Sequence, residues 1–234
     1  MSPEPSAFDE GVASHYEAWY ETPAGQRADA LEKAALRRLL WRFPDAHSVL
    51  EVGAGTGHFT RWLCNEGLVA VGLDLSGAML QHARELDGVT WVQGDAGRLP
   101  FAQDAFDLVA FITTLEFLPC ARRALFEALR LARQGLLLGV LNRCSPLGVK
   151  RRVTGFFQSS VYDAAHFYSV TELKRLVWSL AGEKGQVVWE TTLRPAWVPH
   201  EAWGGFIAMA LVYGDYVDQI QALGTMAGFE DVEA

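Results

Sequence analysis

Residues Val49-Leu50-Glu51-Val52-Gly53-Ala54-Gly55-Thr56-Gly57 decide the fold, because an apolar strand pattern here runs into alternating glycines and then a helical pattern from His58 to Asn65. Glycine adopts backbone dihedrals that a Cβ forbids and lets a ligand approach the backbone closely. The dinucleotide-binding fingerprint G-x-G-x-x-G requires a glycine at position 58, which is His58 here. The spacing G-x-G-x-G therefore indicates a nucleotide-type site of another kind.

Acidic residues follow two further apolar runs. Residues 68–73 are followed by Asp74, and residues 89–94 are followed by Asp95. At the end of the second strand, an acidic side chain can accept hydrogen bonds from both hydroxyls of a ribose. Each feature alone has a structural interpretation, because aspartate is also a common helix cap and turn residue. Their placement at successive strand ends favours a cofactor site.

In this order, the motifs resemble those of class I S-adenosylmethionine-dependent methyltransferases of the small-molecule type, the ubiquinone/menaquinone-biosynthesis-like family known as methyltransferase type 11. The resemblance runs from about residue 8 to about residue 140. It implies an α/β fold: a doubly wound, seven-stranded, mostly parallel sheet of Rossmann-like type with helices on both faces. It also implies the cofactor S-adenosylmethionine, the product S-adenosylhomocysteine and methyl transfer to a small-molecule acceptor.

The resemblance also assigns the cofactor-binding residues. The glycine turn would lie under the methionine moiety, Asp74 would bind the ribose, and Asp95 would accept from the adenine amino group. Glu51 has two interpretations, since it either binds the methionine ammonium or pairs with a neighbouring arginine or lysine. The expected cofactor contacts are Tyr16, Glu51, Gly53, Ala54, Gly55, Gly57, Asp74, Leu75, Met79, Asp95, Ala96, Ile112 and Thr113.

The acceptor side is less clearly marked. Methyl transfer from a sulfonium requires alignment of the acceptor and exclusion of water, and it requires a general base only where the acceptor must lose a proton. Candidate catalytic residues are Tyr20, Glu116 and His166. Candidate substrate contacts are Tyr20, Asn142, Arg143, Phe156, Phe157 and Tyr168. Aromatic residues of this kind also pack in cores, and Glu116, where relatives carry a histidine, could instead complement a helix dipole.

Strand and helix patterns alternate along the chain. Strands are predicted at about 47–52, 68–73, 89–93, 106–112, 134–141, 186–192 and 205–213, and helices at about 8–20, 25–42, 57–66, 76–85, 121–133 and 170–181. Ser76 and Ser169 are expected helix N-caps. The resemblance implies that the seventh strand pairs antiparallel with its neighbours.

A single methyltransferase domain is expected over residues 1–215. It would include N-terminal cap helices at about 8–42 and a substrate-covering insertion at about 145–168. Residues 216–234 would form a tail of uncertain structure. In the insertion, Lys150-Arg151-Arg152 is a dense basic cluster, which is either a solvated face or a recognition patch for an anionic acceptor.

Composition sets the remaining expectations. The 234 residues, with 50% hydrophobic and 21% charged, fit one α/β domain, and the net charge of −8 argues against a nucleic-acid partner. No apolar run reaches the roughly 18 residues of a membrane span, and no basic leader precedes the domain, so a cytoplasmic location is expected. The scattered cysteines predict no metal site. The chain would be a monomer or a homodimer.

Other classes of function stay open. The chain could bind S-adenosylmethionine without catalysis, or it could be a nicotinamide-dependent oxidoreductase, although His58 argues against the latter. A nucleic-acid or protein methyltransferase is a weaker alternative. Ile112-Thr113-Thr114-Leu115 stands where nucleobase-amine enzymes carry an Asn-Pro-Pro-Tyr-like motif.

Overall fold

Strands and helices alternate in the computed structural model, which describes residues 18–84, 89–145, 165–182, 185–192 and 203–214. The helices are α1 (Pro23–Leu40), α2 (His58–Asn65), α3 (Gly77–Arg84), α4 (Ala121–Leu131) and α5 (Val170–Ala181), with a 3₁₀ turn at Leu115–Phe117. The strands are β1 (Ser48–Val52), β2 (Val69–Asp74), β3 (Thr90–Gln93), β4 (Phe106–Ile112), β5 (Ala132–Leu141), β6 (Gly185–Thr192) and β7 (Phe206–Tyr213).

One seven-stranded sheet has the order β3-β2-β1-β4-β5-β7-β6. Strands β1 to β5 pair in parallel, and β7 pairs antiparallel with both β5 and β6. This confirms the predicted fold class and the antiparallel seventh strand. The chain proceeds from β1 to one side of the sheet and later from β4 to the other, so the topological switch point lies between these two strands. Open α/β sheets bind their ligands at the carboxyl ends of the strands at such a point.

Both faces of the sheet are covered, which explains the continuous apolar run of β4. Val109 and Phe111 pack into a core shared with α4 and α5. Leu108, Ala110 and Ile112 pack into a second core shared with α1 and α2. Because β4 is buried on both sides, its carboxyl end is held firmly against β1.

Element boundaries differ from the sequence expectation by one or two residues, and the two-residue differences fall at the junction of α4 and β5 and at both ends of α1. Helix α4 ends at Leu131 and β5 begins at Ala132, whereas the pattern predicts a helix to residue 133 and a strand from 134. The strand begins early because Arg133 Nε donates to Asp107 Oδ1 (2.9 Å) beside β4. Helix α1 begins two residues early, since Thr22 caps Gly25 N–H at 3.0 Å and Pro23 suits the first helical position.

The two predicted serine caps are confirmed. Ser76 Oγ accepts from Met79 N–H and Ser169 Oγ accepts from Glu172 N–H, both at 3.3 Å. Most of the first predicted helix, the tail and most of the predicted insertion lie outside the described residues, and so do Tyr16, Phe156, Phe157 and Lys150-Arg151-Arg152; residues 18–20, the end of that predicted helix, are helical. No helix among the described residues is both long and apolar enough to cross a membrane.

Candidate active site

The glycine turn connects β1 to α2 and is fastened to the neighbouring strand. Gly53 N–H and Ala54 N–H both donate to Leu73 O, at 2.7 and 2.9 Å. Gly55 has a φ of +56°, and no described atom lies within 4 Å of where its Cβ would stand. The turn therefore presents bare backbone to an open space at the switch point, which is the geometry that close approach of a ligand requires.

Asp74, at the end of β2, faces this turn. Its carboxylate accepts hydrogen bonds from Gly55 N–H and Ser76 N–H, both at 2.8 Å. Burial raises the pKa of Asp74, and the hydrogen bonds from the backbone oppose that rise. A carboxylate accepts about four hydrogen bonds, so Asp74 retains the capacity to accept from a ligand.

Glu51 lies within β1, between β2 and β4, and is fully buried. Thr60, on α2, donates its hydroxyl to the Glu51 carboxylate. The pKa of Glu51 is raised to about 8, mainly by burial; the nearby Asp74 charge contributes to the rise, and the Thr60 bond and the Arg61 charge oppose it. The hydrogen bond that the structure shows comes from Thr60, and the two interpretations of Glu51, binding of the methionine ammonium or pairing with a neighbouring arginine or lysine, both stay predictions. The buried Glu51 and the half-buried Asp74, at the ends of adjacent strands, favour a cationic ligand group.

Side chains at the ends of β2 and β3 frame the outer part of the site. Leu75 is 66% exposed, which is unusual for leucine and leaves an apolar surface next to Asp74. Met79 is buried, with 3% exposure. Asp95 is exposed and its Oδ1 accepts from Gly97 N–H at 2.8 Å, while Ala96 is almost buried.

The end of β4 completes the crevice opposite the glycine turn. Ile112 is buried, and Thr113 has a φ of +51°, a conformation that is strained for a β-branched residue. Thr114 Oγ1 lies 3.2 Å from Gly53 O, so β4 contacts the glycine turn directly.

Most of the candidate acceptor-side residues come together at the carboxyl ends of β4 and β5. His166 N–H donates to Glu116 O at 2.7 Å, and the Glu116 carboxylate accepts from Leu141 N–H at 2.6 Å. Arg143 N–H donates to Tyr168 O at 2.8 Å, and Asn142 forms an isolated parallel bridge with Tyr168. We call Glu116, Asn142, Arg143, His166 and Tyr168 the acceptor-side cluster.

Glu172, at the start of α5, organises the exposed edge of this cluster. Its two oxygens lie 3.0 Å from Arg143 Nη2 and 2.7 Å from His166 Nε2. Burial raises the pKa of Tyr168 to about 12, and the charges of Glu116 and Glu172 contribute to that rise. Tyr168 therefore keeps its proton at neutral pH and is a hydrogen-bond donor, not a base.

Tyr20 lies apart from this cluster, on the glycine-turn side. Its ring stacks on His58 at a centroid distance of 3.8 Å. His58 Nε2 lies 2.7 Å from Asp29 Oδ1 and 3.0 Å from Lys33 Nζ. One nitrogen cannot donate to the carboxylate and accept from the ammonium at once, so the bond to Asp29 requires a proton on Nε2. These contacts tie α1 to the first turn of α2.

Sequence reasoning missed three contributors to the site. Thr60 and Thr114 contact Glu51 and Gly53, and Trp91 of β3 occupies the space that a Cβ on Gly57 would need, at 2.4 Å. The contact of Thr60 with Glu51 could have been predicted from the sequence, because a residue on the first turn of α2 faces the carboxyl end of β1. Nothing in the sequence pattern indicates the other two contacts.

The part of the chain that the structure describes contains no preformed metal-binding site. Within it, no group of three or more histidine, cysteine, aspartate or glutamate side chains gathers as a metal site would.

Comparison with known proteins agrees with this geometry. Residues 50–138 match the family model described as a methyltransferase domain. A SAM-dependent methyltransferase from Thermotoga maritima, described as a possible histamine N-methyltransferase, has a similar structure, with a TM-score of 0.71 and 28% identity, covering 87% of this chain and 96% of that chain.

Two relatives extend the comparison in sequence. An uncharacterised protein from Mycobacterium bovis is 34% identical over 167 residues, which cover 70% of this chain and 56% of that protein. Malonyl-acyl-carrier-protein O-methyltransferase from Pectobacterium atrosepticum is 34% identical over 150 residues, covering 58% of this chain and 59% of that enzyme. The chain thus spans a little over half the length of these relatives.

The sheet order and the glycine turn at the switch point define a class I methyltransferase domain. Residues 50–138 match the methyltransferase-domain family, and a SAM-dependent methyltransferase shares the fold over 87% of the chain.

Proposed function

We propose that this chain transfers the methyl group of S-adenosylmethionine to a small-molecule acceptor by in-line substitution. The observation that carries the proposal is the crevice between the ends of β1 and β4, where bare backbone at Gly55 faces open space beside the half-buried carboxylate of Asp74 and the buried carboxylate of Glu51. A Cβ on Gly55 would project into that space. The residues present therefore fit a ligand that has vicinal hydroxyls and a positive charge.

The nucleoside half of the cofactor would lie along the ends of β2 and β3. Asp74 has the capacity to accept from the ribose hydroxyls while it holds the Gly55 and Ser76 N–H groups. The exposed Leu75 would cover one face of the adenine, gaining apolar burial in the complex. Asp95, with its carboxylate exposed, would accept from the adenine amino group.

The methionine half would lie against the glycine turn. Gly53, Ala54, Gly55 and Gly57 supply backbone for this contact. An ammonium near Glu51 would favour its ionised form and would offset the burial that raises its pKa. The bound cofactor supplies an activated methyl group, and the protein has to orient the acceptor and exclude water.

The acceptor would approach from the ends of β4 and β5, past Ile112 and Thr113. In the acceptor-side cluster, the His166 imidazole bonded to Glu172 is suited to accept a proton, and Tyr168 is suited to donate a hydrogen bond. Asn142 and Arg143 would contact the acceptor. Tyr20, stacked on His58, would act from the glycine-turn side.

Two relatives suggest which acceptors to test first. One is named malonyl-acyl-carrier-protein O-methyltransferase, and the other is described as a possible histamine N-methyltransferase. A carboxylate and an amine are therefore the first two acceptor types for an assay. The net charge of −8 disfavours nucleic acid as the acceptor.

The proposal is tested in two steps. Calorimetric titration with S-adenosylhomocysteine should show micromolar binding to the purified chain. Mass spectrometry of cell extract should then reveal a metabolite that gains one methylene unit of mass only when both the protein and S-adenosylmethionine are present. Binding without turnover across an acceptor panel would indicate a non-catalytic cofactor-binding protein. Binding of NAD in place of S-adenosylhomocysteine would indicate an oxidoreductase.

A further inference from the structure

Thr113 holds a strained conformation at the end of β4. Among the described residues, only Thr113 and Asp104 have a positive φ without being glycine, at +51° and +52°. Aspartate tolerates the left-handed region, whereas a β-branched residue is strained there. Such strain persists only where the surrounding contacts over-determine it. Thr113 N–H donates to Gly139 O of β5 at 2.7 Å, which fixes one side of the turn.

Thr114 fixes the other side by contacting the glycine turn. Its hydroxyl lies 3.2 Å from Gly53 O and 3.1 Å from Ile112 O, so its single proton is shared between two carbonyl oxygens. A Cβ on Gly53 would lie 2.1 Å from Thr114 Cγ2. The side chain is 7% exposed, so this contact is buried and displaces water from the turn.

The Gly53 peptide is consequently held from both sides. Its N–H donates to Leu73 O of β2, and its C=O accepts from Thr114 after β4. Extended backbone at Thr113 would direct Thr114 elsewhere, because the left-handed conformation is what turns the chain back over Gly53. The strained Thr113 and the contact between Thr114 and Gly53 therefore depend on each other.

We infer that Thr114 is a positioning residue that holds the glycine turn in the shape required by the amino-acid half of the cofactor, and that the strained Thr113 turn places it there. This inference rests on the proposed function, since it assigns the turn to S-adenosylmethionine. Thr114 acts through Gly53 and need not touch the ligand. It also links the cofactor loop rigidly to the strand that ends at the acceptor side.

The test separates the two halves of the cofactor. S-adenosylhomocysteine contains the amino-acid half, whereas 5′-deoxy-5′-methylthioadenosine contains only the adenine, the ribose and a methylthio group. Thr114→Val keeps the shape and the methyl contact but removes the hydroxyl. We expect calorimetry to show a roughly 3- to 10-fold loss of affinity for S-adenosylhomocysteine and less than about a 2-fold change for methylthioadenosine.

Further variants of Thr114 and Thr113 serve as controls for Thr114→Val. Thr114→Ser retains the hydroxyl and should restore S-adenosylhomocysteine affinity to within about 2-fold of the wild type. Thr113→Gly permits the same positive φ without strain, so it should keep the affinity for both ligands within about 2-fold of the wild type and should not lower the melting temperature. Thr114→Ala also lacks the hydroxyl and carries the same test if Thr114→Val fails to fold.

Two results would overturn the inference while leaving the proposed function intact: unchanged binding of both ligands by the folded variants that lack the Thr114 hydroxyl, or equal loss of both. A wild-type chain that melts cooperatively yet binds neither ligand would instead overturn the proposed function and, with it, this inference.

Discussion

The glycine-turn side and the acceptor side of the crevice are constructed differently. The first is built mostly from backbone: Gly53 and Ala54 N–H groups donate to Leu73 O, and the Asp74 carboxylate accepts from Gly55 N–H and Ser76 N–H. The second is built from side chains on segments far apart in sequence, with Glu172 joining Arg143 and His166. Backbone geometry fixes one ligand shape, whereas side chains at an exposed edge can change with the acceptor.

The largest effect should come from breaking the backbone side. Gly55→Val places a branched side chain in the open space and in an unfavourable φ of +56°. We expect S-adenosylhomocysteine affinity to fall by roughly 100-fold or more, because the ligand and the side chain need the same volume. Gly67→Val is the matched control, since Gly67 also has a positive φ and no described atom within 4 Å of its Cβ position, yet it lies in the turn after α2. We expect Gly67→Val to introduce backbone strain comparable to that of Gly55→Val and yet to retain the affinity for S-adenosylhomocysteine.

The next largest effect should follow from Asp74→Ala. Leaving the ribose hydroxyls without their partner should cost about 1–3 kcal/mol of binding free energy, or roughly 5- to 150-fold in Kd. Asp107→Ala is the control, because Asp107 accepts from His47 and Ser48 N–H groups at 3.0 and 2.9 Å at the opposite end of the sheet. That variant should lose stability and keep its affinity. Unchanged affinity in Asp74→Ala would refute the ribose assignment.

A pH-dependent effect on stability should come from Glu51. Its pKa is raised from 4.5 to about 8 by burial, so the native state binds a proton that the unfolded chain has already released. The Glu51 contribution to the free energy of unfolding is therefore greatest below about pH 4.5 and declines as the pH rises towards 8. Glu51→Gln, which is always neutral, should flatten this decline in urea denaturation of the ligand-free protein.

Glu127 provides a control of opposite sign for that experiment. The hydrogen bond from Arg130 lowers its pKa, so its contribution is present above about pH 4.5 and is lost as the pH falls through the lowered value. Glu127→Gln should therefore destabilise the protein at neutral pH but not in acid. If Glu51→Gln left the pH profile of stability unchanged, the Glu51 carboxyl would not be protonated in the ligand-free state.

The smallest effect should arise on the acceptor side. Arg143 and Glu172 are partly exposed, with side-chain exposures of 42% and 30%, so their ion pair should contribute less than about 1 kcal/mol to stability. Arg143→Ala should raise the acceptor KM by roughly 2- to 5-fold and leave cofactor affinity unchanged. Steady-state kinetics with the identified acceptor measures the first, and calorimetry the second. A fall in cofactor affinity would mean that the two sides are not independent.

Sequence reasoning succeeded for elements whose determinants are local. Strand periodicity located every strand of the sheet, and hydroxyl caps located the starts of α3 and α5. It was wrong by two residues at the boundary of α4 and β5, where Ala132 and Arg133 suit a helix locally but Arg133 is held in a strand by Asp107 of β4. A distant partner outweighed the local preference there.

The sequence by itself determined the order of strands and helices, the glycine turn and the acids at the strand ends, because each depends on periodicity or on residues a few positions apart. Only the tertiary structure decided that Thr114 meets Gly53, that Thr60 binds Glu51 and that His166 lies against Glu116. The physical reason is that parallel strands gather their carboxyl ends at one edge of the sheet, and this brings together side chains whose separation along the chain carries no pattern.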